Sequence, residues 1–343
     1  MTTHSSLMID KRTESGPQRR FLKTLGWELI EYGPLILFGS LIIYLAVFAP
    51  YFLEWHNITT IFRQTVPLAI LCFGLATVII TGGDDVVVGG IDLSIPAASV
   101  MAAAVCSVML VKVGAGLALS LGVAVGAAIA VGALNAILVV VVGLTPLLGT
   151  LASSVAVVGI ANLITAHRRI NVNHPFINMI RDDSFLGVPV AVIIMLVVFA
   201  AVAFFIHRTR WGMRMQAVGG SRDAAEISGI KPAGHIAQSF IIASMCAAVA
   251  SVTIIARGSG SSPGTEEALM IEMVLATFVG AAFSPRRVVT IWGAFLGALL
   301  VNALSNGFAL LRVDIFWVGG IKGALIIIVV ATAALQKKGE RRS

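Results

Sequence analysis

Charge is what this chain has least of. Only 12% of its 343 residues are Asp, Glu, Lys or Arg, whereas 58% are hydrophobic, and a soluble domain is roughly a quarter charged. That excludes an ordinary soluble globular fold. The three cysteines, Cys72, Cys106 and Cys246, all fall inside apolar runs and give neither a disulfide framework nor a metal-ligand spacing. Six histidines are scattered without an H-E-x-x-H pair, which leaves no metal site to expect. No G-x-x-x-x-G-K-[ST] string occurs, and the glycine clusters GSGSSPG (258–264) and GGIKG (319–323) do not fit it. If ATP and Mg drive this protein, another chain binds them. No basic stripe with interleaved aromatics is present, so the formal +7 charge is not a nucleic-acid footprint. The apolar segments lack the strict alternation of a membrane β-barrel.

What remains is long apolar runs, recurring at lengths that cross a bilayer as helices. They lie near 33–53, 60–81, 95–113, 116–142, 145–166, 188–207, 235–256, 269–284, 288–310 and 319–336. The expected fold is therefore all-α, a polytopic helical bundle of about ten spans. Sixteen of the 24 Lys and Arg residues fall in the N-terminal tail, the 208–234 segment, the 286–287 turn and the C-terminal tail. Positively charged loops stay cytoplasmic, so both termini are expected there. The organisation expected is a cytoplasmic tail over 1–32, a membrane domain over 33–336 and a second tail over 337–343. The first run is followed by FAPYFLEWHN with no small-residue cleavage site and is expected to be a retained helix.

The segment RTRWGMRMQAVGGSRDAAEISGIKPAG (208–234) is too polar to cross. Ser221 can cap a short helix over 222–228, Asp223 and Glu226 suit its first turns, and Gly229 with Pro232 ends it. Its small residues leave a smooth face for a partner groove; a plain surface connection is the alternative.

This loop resembles the cytoplasmic coupling loop of ribose-type sugar ABC transporter permeases. GGIDLS at 89–94 and GALNAILVVVVGLTPLLGTLASSVAVVGIANLIT from Gly132 resemble two further motifs of that family, in the family's order. The resemblance covers nearly the whole chain past Asn57. It implies a permease that pairs with a second copy or a homologue, a cytoplasmic ATP-binding subunit, and a periplasmic solute-binding protein that delivers substrate. It also implies that Gly219, Ala224, Ala225, Glu226, Ser228, Gly229 and Ile230 form the surface the ATPase engages, with Ser221 standing where the family has asparagine. One departure is the GAAFSPRR turn at 280–287, where the family has a glycine-rich string.

Uncharged polar residues in apolar helices are the candidates for a carbohydrate path, because each costs free energy in lipid unless it meets a partner or water. Asn135, Thr145, Thr150, Asn302 and Asn306 are of this type; interhelical hydrogen bonding is the alternative. The likeness of GALNAIL near 132 to GALLVNALSNG near 297 suggests two inverted five-helix halves. Glycines at small-x-x-x-small spacing, such as Gly122 and Gly126 with Gly132 nearby, are expected at close helix contacts. Glu272 and Lys322 either pair or sit at the interface.

The stretch ITGGDDVVVGGIDLS (80–94) exceeds the family's ITGGIDLS by seven residues. Asp92 and Ser94 are expected to cap the following helix, with gating a secondary role, and Pro96 suits its first turn. Asp84 and Asp85 belong to the insertion, expected at a water-accessible end and dispensable for folding. Two rivals stand beside the sugar permease. A branched-chain amino acid permease wants charged groups in its path, and an ion-coupled carrier wants a midmembrane carboxylate such as Asp84, Asp85 or Asp92.

Overall fold

The computed structural model describes residues 33, 36–83, 89–284, 286 and 288–340. Asp84 and Asp85, Pro285 and Arg287, the N-terminal tail over 1–32 and residues 341–343 lie outside them, whereas 337–340 of the expected C-terminal tail continue the last helix. The described residues form an all-α bundle with two small two-stranded ladders. In chain order the elements are α1 (Ile36–Phe48), α2 (Trp55–Gly82), α3 (Ile95–Val111), α4 (Leu117–Ala136), α5 (Pro146–Thr165), β1 (Ile170–Asn171), α6 (Pro175–Asp182), β2 (Ser184–Phe185) and β3 (Val188–Pro189). Then follow α7 (Val190–Arg208), α8 (Arg210–Gly220), α9 (Arg222–Ile227), α10 (Pro232–Gly258), β4 (Gly260–Ser261), α11 (Glu266–Ala281), α12 (Ile291–Leu310) and α13 (Ile315–Glu340). Each apolar run read from the sequence falls on a helix. Among the described residues, α2, α4 with its extension, α5, α7, α10 and α12 are long and apolar enough to cross a membrane, and α1, α3 and part of α13 are shorter apolar helices.

Proline and glycine set several boundaries. Pro96, Pro146, Pro175 and Pro232 sit in the first turns of α3, α5, α6 and α10, where no helical N–H is lost. Gly83 follows α2 at φ 92°, a conformation that costs glycine little. The end of α4 widens into a π-helix over Ile137–Val141, which directly precedes the sharp turn into α5.

The centre of the bundle is α2 against α10. The apolar window of α2 is 94% buried, whereas those of α4, α5 and α7 are 22–28% buried and lie at the periphery. Around this pair the contacts are reciprocal: α3 and α4 pack on α10, while α11 and α12 pack on α2. The α3–α4 and α3–α5 contacts are likewise mirrored by α11–α12 and α11–α13. Such an exchange is what two related halves produce, whether parallel or inverted.

Close backbone approach occurs at particular glycines only. A Cβ at Gly297 would lie 1.9 Å from the Ala276 carbonyl oxygen, and one at Gly132 would lie 2.8 Å from that of Phe240, so α12 on α11 and α4 on α10 need these positions bare. Gly122 and Gly126 have nothing within 4 Å and contradict the expectation from their spacing. They lie on the outward side of α4, where spacing alone carries no contact.

At one end of the bundle β1 pairs antiparallel with β4, Ile170 opposite Ser261 and Asn171 opposite Gly260. At the opposite end lie α8 and α9. Glu272 of α11 and Lys322 of α13 form an ion pair, Nζ to Oε1 2.5 Å, with both side chains partly buried. Of the two readings given to these charges, pairing is the one observed.

Candidate functional site

The helix pair α8–α9 leaves the bundle through a tight corner. Thr209 Oγ1 accepts from the Gly212 amide at 3.1 Å, and a Cβ at Gly212 would meet the Phe205 and Ile206 carbonyl oxygens at 2.3 Å. Met215 and Val218 then face inward with Gly212, three residues apart along one face. Ser221 caps α9 as its sequence predicts, its hydroxyl accepting from the Ala224 amide at 3.3 Å. Gly229 at φ 78° ends it, and the Ile230 amide returns to the Ala225 carbonyl at 2.9 Å.

Not every residue expected on the outer surface is there. Ser221, Ala224, Glu226, Ser228 and Gly229 are exposed and Ile230 is half-buried. Ala225 is buried, and Gly219 sits so close to α2 that a Cβ would lie 1.9 Å from the Ile80 carbonyl oxygen. Gly219 and Ala225 therefore seat the helix pair and present nothing outward. Outward instead goes Ile227, 89% exposed, which sequence reasoning missed because one isoleucine in a polar loop carries no pattern.

Where α8–α9 sits on α2, the chain continues into GGIDLS. The Gly90 amide donates to the Gly83 carbonyl at 3.1 Å, and a Cβ at Gly90 would lie 2.1 Å from the Val78 carbonyl oxygen, so the returning segment lies directly on α2. Arg222 Nη2 donates to the Gly82 carbonyl at 3.2 Å, a second tie from the loop helix to this corner.

The next residues depart from the simple cap that their sequence suggests. Ser94 occupies the N-cap position of α3 with helical backbone angles, and its side chain caps no amide. Its hydroxyl donates to Asp92 Oδ1 at 2.7 Å, and the same oxygen accepts the Ser94 amide at 2.8 Å. Asn135 of α4 donates to Ser94 Oγ at 2.6 Å, and Ser153 of α5 donates to Asn135 Oδ1 at 2.5 Å. Thr150 Oγ1 accepts the Leu93 amide at 3.1 Å. The physical reason is burial: Asp92, Ser94, Asn135, Thr150 and Ser153 are all buried, so each polar atom turns to the nearest neighbouring element. Asp92 lies in the connection between α2 and α3, and loss of water pushes its carboxyl up to about 6 against the opposing bonds from Ser94 and Asn135.

The five path candidates do not converge. Asn135 and Thr150 belong to this node, while Thr145 is exposed at the α4–α5 turn. Asn302 donates to the Ala298 carbonyl of its own helix at 3.1 Å, and Asn306 accepts from Asn57 at 2.9 Å. Asn57 opens α2 at the far end from Asp92. Interhelical and backbone bonding describes these residues better than a shared lining. No group of three or more His, Cys, Asp or Glu side chains suited to a metal occurs among the described residues.

A family model described as branched-chain amino acid transport system / permease component matches residues 57–330. The chain is similar to ribose import permease protein RbsC of Bacillus subtilis (strain 168), 31% identical over 303 residues that cover 88% of this chain and 91% of the relative. It is also similar to D-allose transport system permease protein AlsC of Escherichia coli (strain K12), 30% identical over 332 residues covering 95% and 98%. Galactofuranose transporter permease protein YtfT of the same organism is 28% identical over 304 residues, covering 86% and 85%. No solved structure matches.

Proposed function

The chain belongs to the permease family of the branched-chain amino acid transport type and, within it, to the sugar ABC transporter permeases, and on that premise we propose that it is the membrane-spanning subunit of an ATP-driven importer for a sugar or related polyol. A solute-binding protein delivers the substrate on the outer side. A separate ATP-binding subunit holds ATP and Mg, and a second permease copy or homologue completes the pathway. Both termini and α8–α9 lie on the cytoplasmic side, in keeping with their Lys and Arg content.

The observation that carries this reading is the seating of α8–α9. The Gly219 end of α8 rests on the Ile80 carbonyl of α2 and carries the capped α9 with its exposed Ile227, so a push on the loop helix is delivered through α8 to the most buried of the six long helices. A permease with two access states needs a partner that binds one state better than the other. The loop helix offers that partner a surface, and Ser221, Ala224, Glu226, Ser228, Gly229 and Ile230 join Ile227 in it.

Co-purification tests the reading directly. The wild-type chain is expected to retain an ATP-binding subunit expressed with it, and Ile227→Asp to lose it at least tenfold. Transport by the chain alone in proteoliposomes defeats the reading and favours the ion-coupled carrier, for which Asp92 is the carboxylate among the described residues that the sequence offered. The amino acid alternative is separated from the sugar one by ligand binding to the partner solute-binding protein.

A further inference from the structure

Two sets of contacts meet at the Gly82–Ser94 corner, and they come from opposite directions. From the loop side come Gly219 on the Ile80 carbonyl and Arg222 on the Gly82 carbonyl. From the bundle side come Asn135 of α4 and Thr150 and Ser153 of α5, all bonded to residues 92–94 or to one another. Between them the chain is stiff at its contacts: Gly82 and Gly90 are so close that a Cβ on Gly82 would lie 2.2 Å from the Gly90 Cα. Backbone pressed on backbone has no side-chain slack to absorb a displacement.

We propose that the Gly89–Ser94 segment is the transmission element of the permease, carrying displacement of the α8–α9 pair to α4 and α5 through the Asp92–Ser94–Asn135–Ser153 hydrogen bonds. Asp92 and Ser94 are positioning residues in this scheme. Both are buried, and Asn135 and Ser153 are likewise withdrawn from solvent and spend their polar atoms on this network. The π-helix at the end of α4 begins two residues past Asn135, so a pull on this asparagine acts where the helical ladder is already loosened. On the exposed face of α5, five residues before Ser153, Leu148 reports any such movement.

The inference rests on the proposed pairing with an ATP-binding subunit, and its test separates the two. Spin labels at the exposed positions Leu148 of α5 and Val197 of α7 measure their separation in the assembled complex, with the buried Cys72, Cys106 and Cys246 left in place. Adding ATP and Mg is expected to shift the wild-type distance by on the order of 2 Å. Ser153→Ala, which deletes one hydroxyl, is expected to lose at least half of that shift while keeping the ATP-binding subunit bound; Ser153→Thr is expected to restore it. Gly219→Ala, at the other end of the contact chain, is expected to lose it as well. A full shift in Ser153→Ala with the complex intact overturns the inference alone, as does a wild-type complex that shows no shift. A wild-type chain that never retains the ATP-binding subunit overturns the proposed function and this inference with it.

Discussion

The two halves of the bundle carry the same residue types in related places and use them differently. In the first half, Asn135 bridges α3 and α5 and the carboxylate of Asp92 is held by neutral donors. In the second, Asn302 donates to a carbonyl of its own helix, and the carboxylate of Glu272 is held by Lys322. The entry to α3 is fully bonded, whereas at the entry to α11 Ser261 Oγ and Glu266 Oε2 are buried without a hydrogen-bond partner. Related helix packing therefore constrains backbone paths more tightly than polar chemistry. The half with the loop helix on its corner is the one with a continuous polar connection.

Breaking the asparagines should expose the difference most clearly. Asn135→Leu removes a bond to Ser94 and one from Ser153 in a dry site, an expected loss of about 2–3 kcal/mol, whereas Asn302→Leu is expected to cost under ~1 kcal/mol. Thermal unfolding in detergent measures both, and equal losses would erase the contrast. Lys322→Gln leaves Glu272 without its cation; since the pair is partly exposed, the expected cost is about 1–2 kcal/mol.

The two carboxylates also differ in pH response. Asp92 has a folded-state pKa raised to about 6, so the folded protein binds its proton more tightly than the unfolded chain does. The sign follows: this group's contribution to stability is greatest below pH ~4 and falls as pH rises towards ~6. Going from pH 7.5 to 5 should gain the wild-type about 1 kcal/mol relative to Asp92→Asn, which keeps an Oδ1 acceptor for Ser94 but cannot titrate. Parallel melting curves of the two proteins at both pH values check it. The smallest effect belongs to Gly122→Ala on the open side of α4, expected to leave the melting temperature unchanged or raise it slightly, because nothing meets the added methyl group and helix propensity improves.

Much of the fold was legible because its signals are local. Apolar length gave the helices, Pro96, Pro146 and Pro232 marked starts, and Ser221 with Gly229 bounded α9 correctly. The site was less legible because its partners are remote: Ser94 finds Asn135 forty-one residues on, and no period or spacing announces that bond. Without it, Asp92 and Ser94 look like ordinary caps. Gly219 and Ala225 show the same limit. The motif marks where the loop helix is, and only its packing on the bundle tells that Ala225 of α9 turns inward and that Gly219 of α8 backs onto α2. Ser153 was missed because a serine one turn from Thr150 reads as helix packing until Asn135 is placed beside it.

The hydrogen bond from the Gly90 amide to the Gly83 carbonyl has a use beyond architecture. It holds Gly83 and Gly90, the two ends of a six-residue length of sequence, within one hydrogen bond of each other. Loop-closure entropy grows only logarithmically, so doubling that length costs about 0.6 kcal/mol. A short peptide tag inserted between Val86 and Val87 is therefore expected to cost the fold little, which a melting curve of the tagged protein checks.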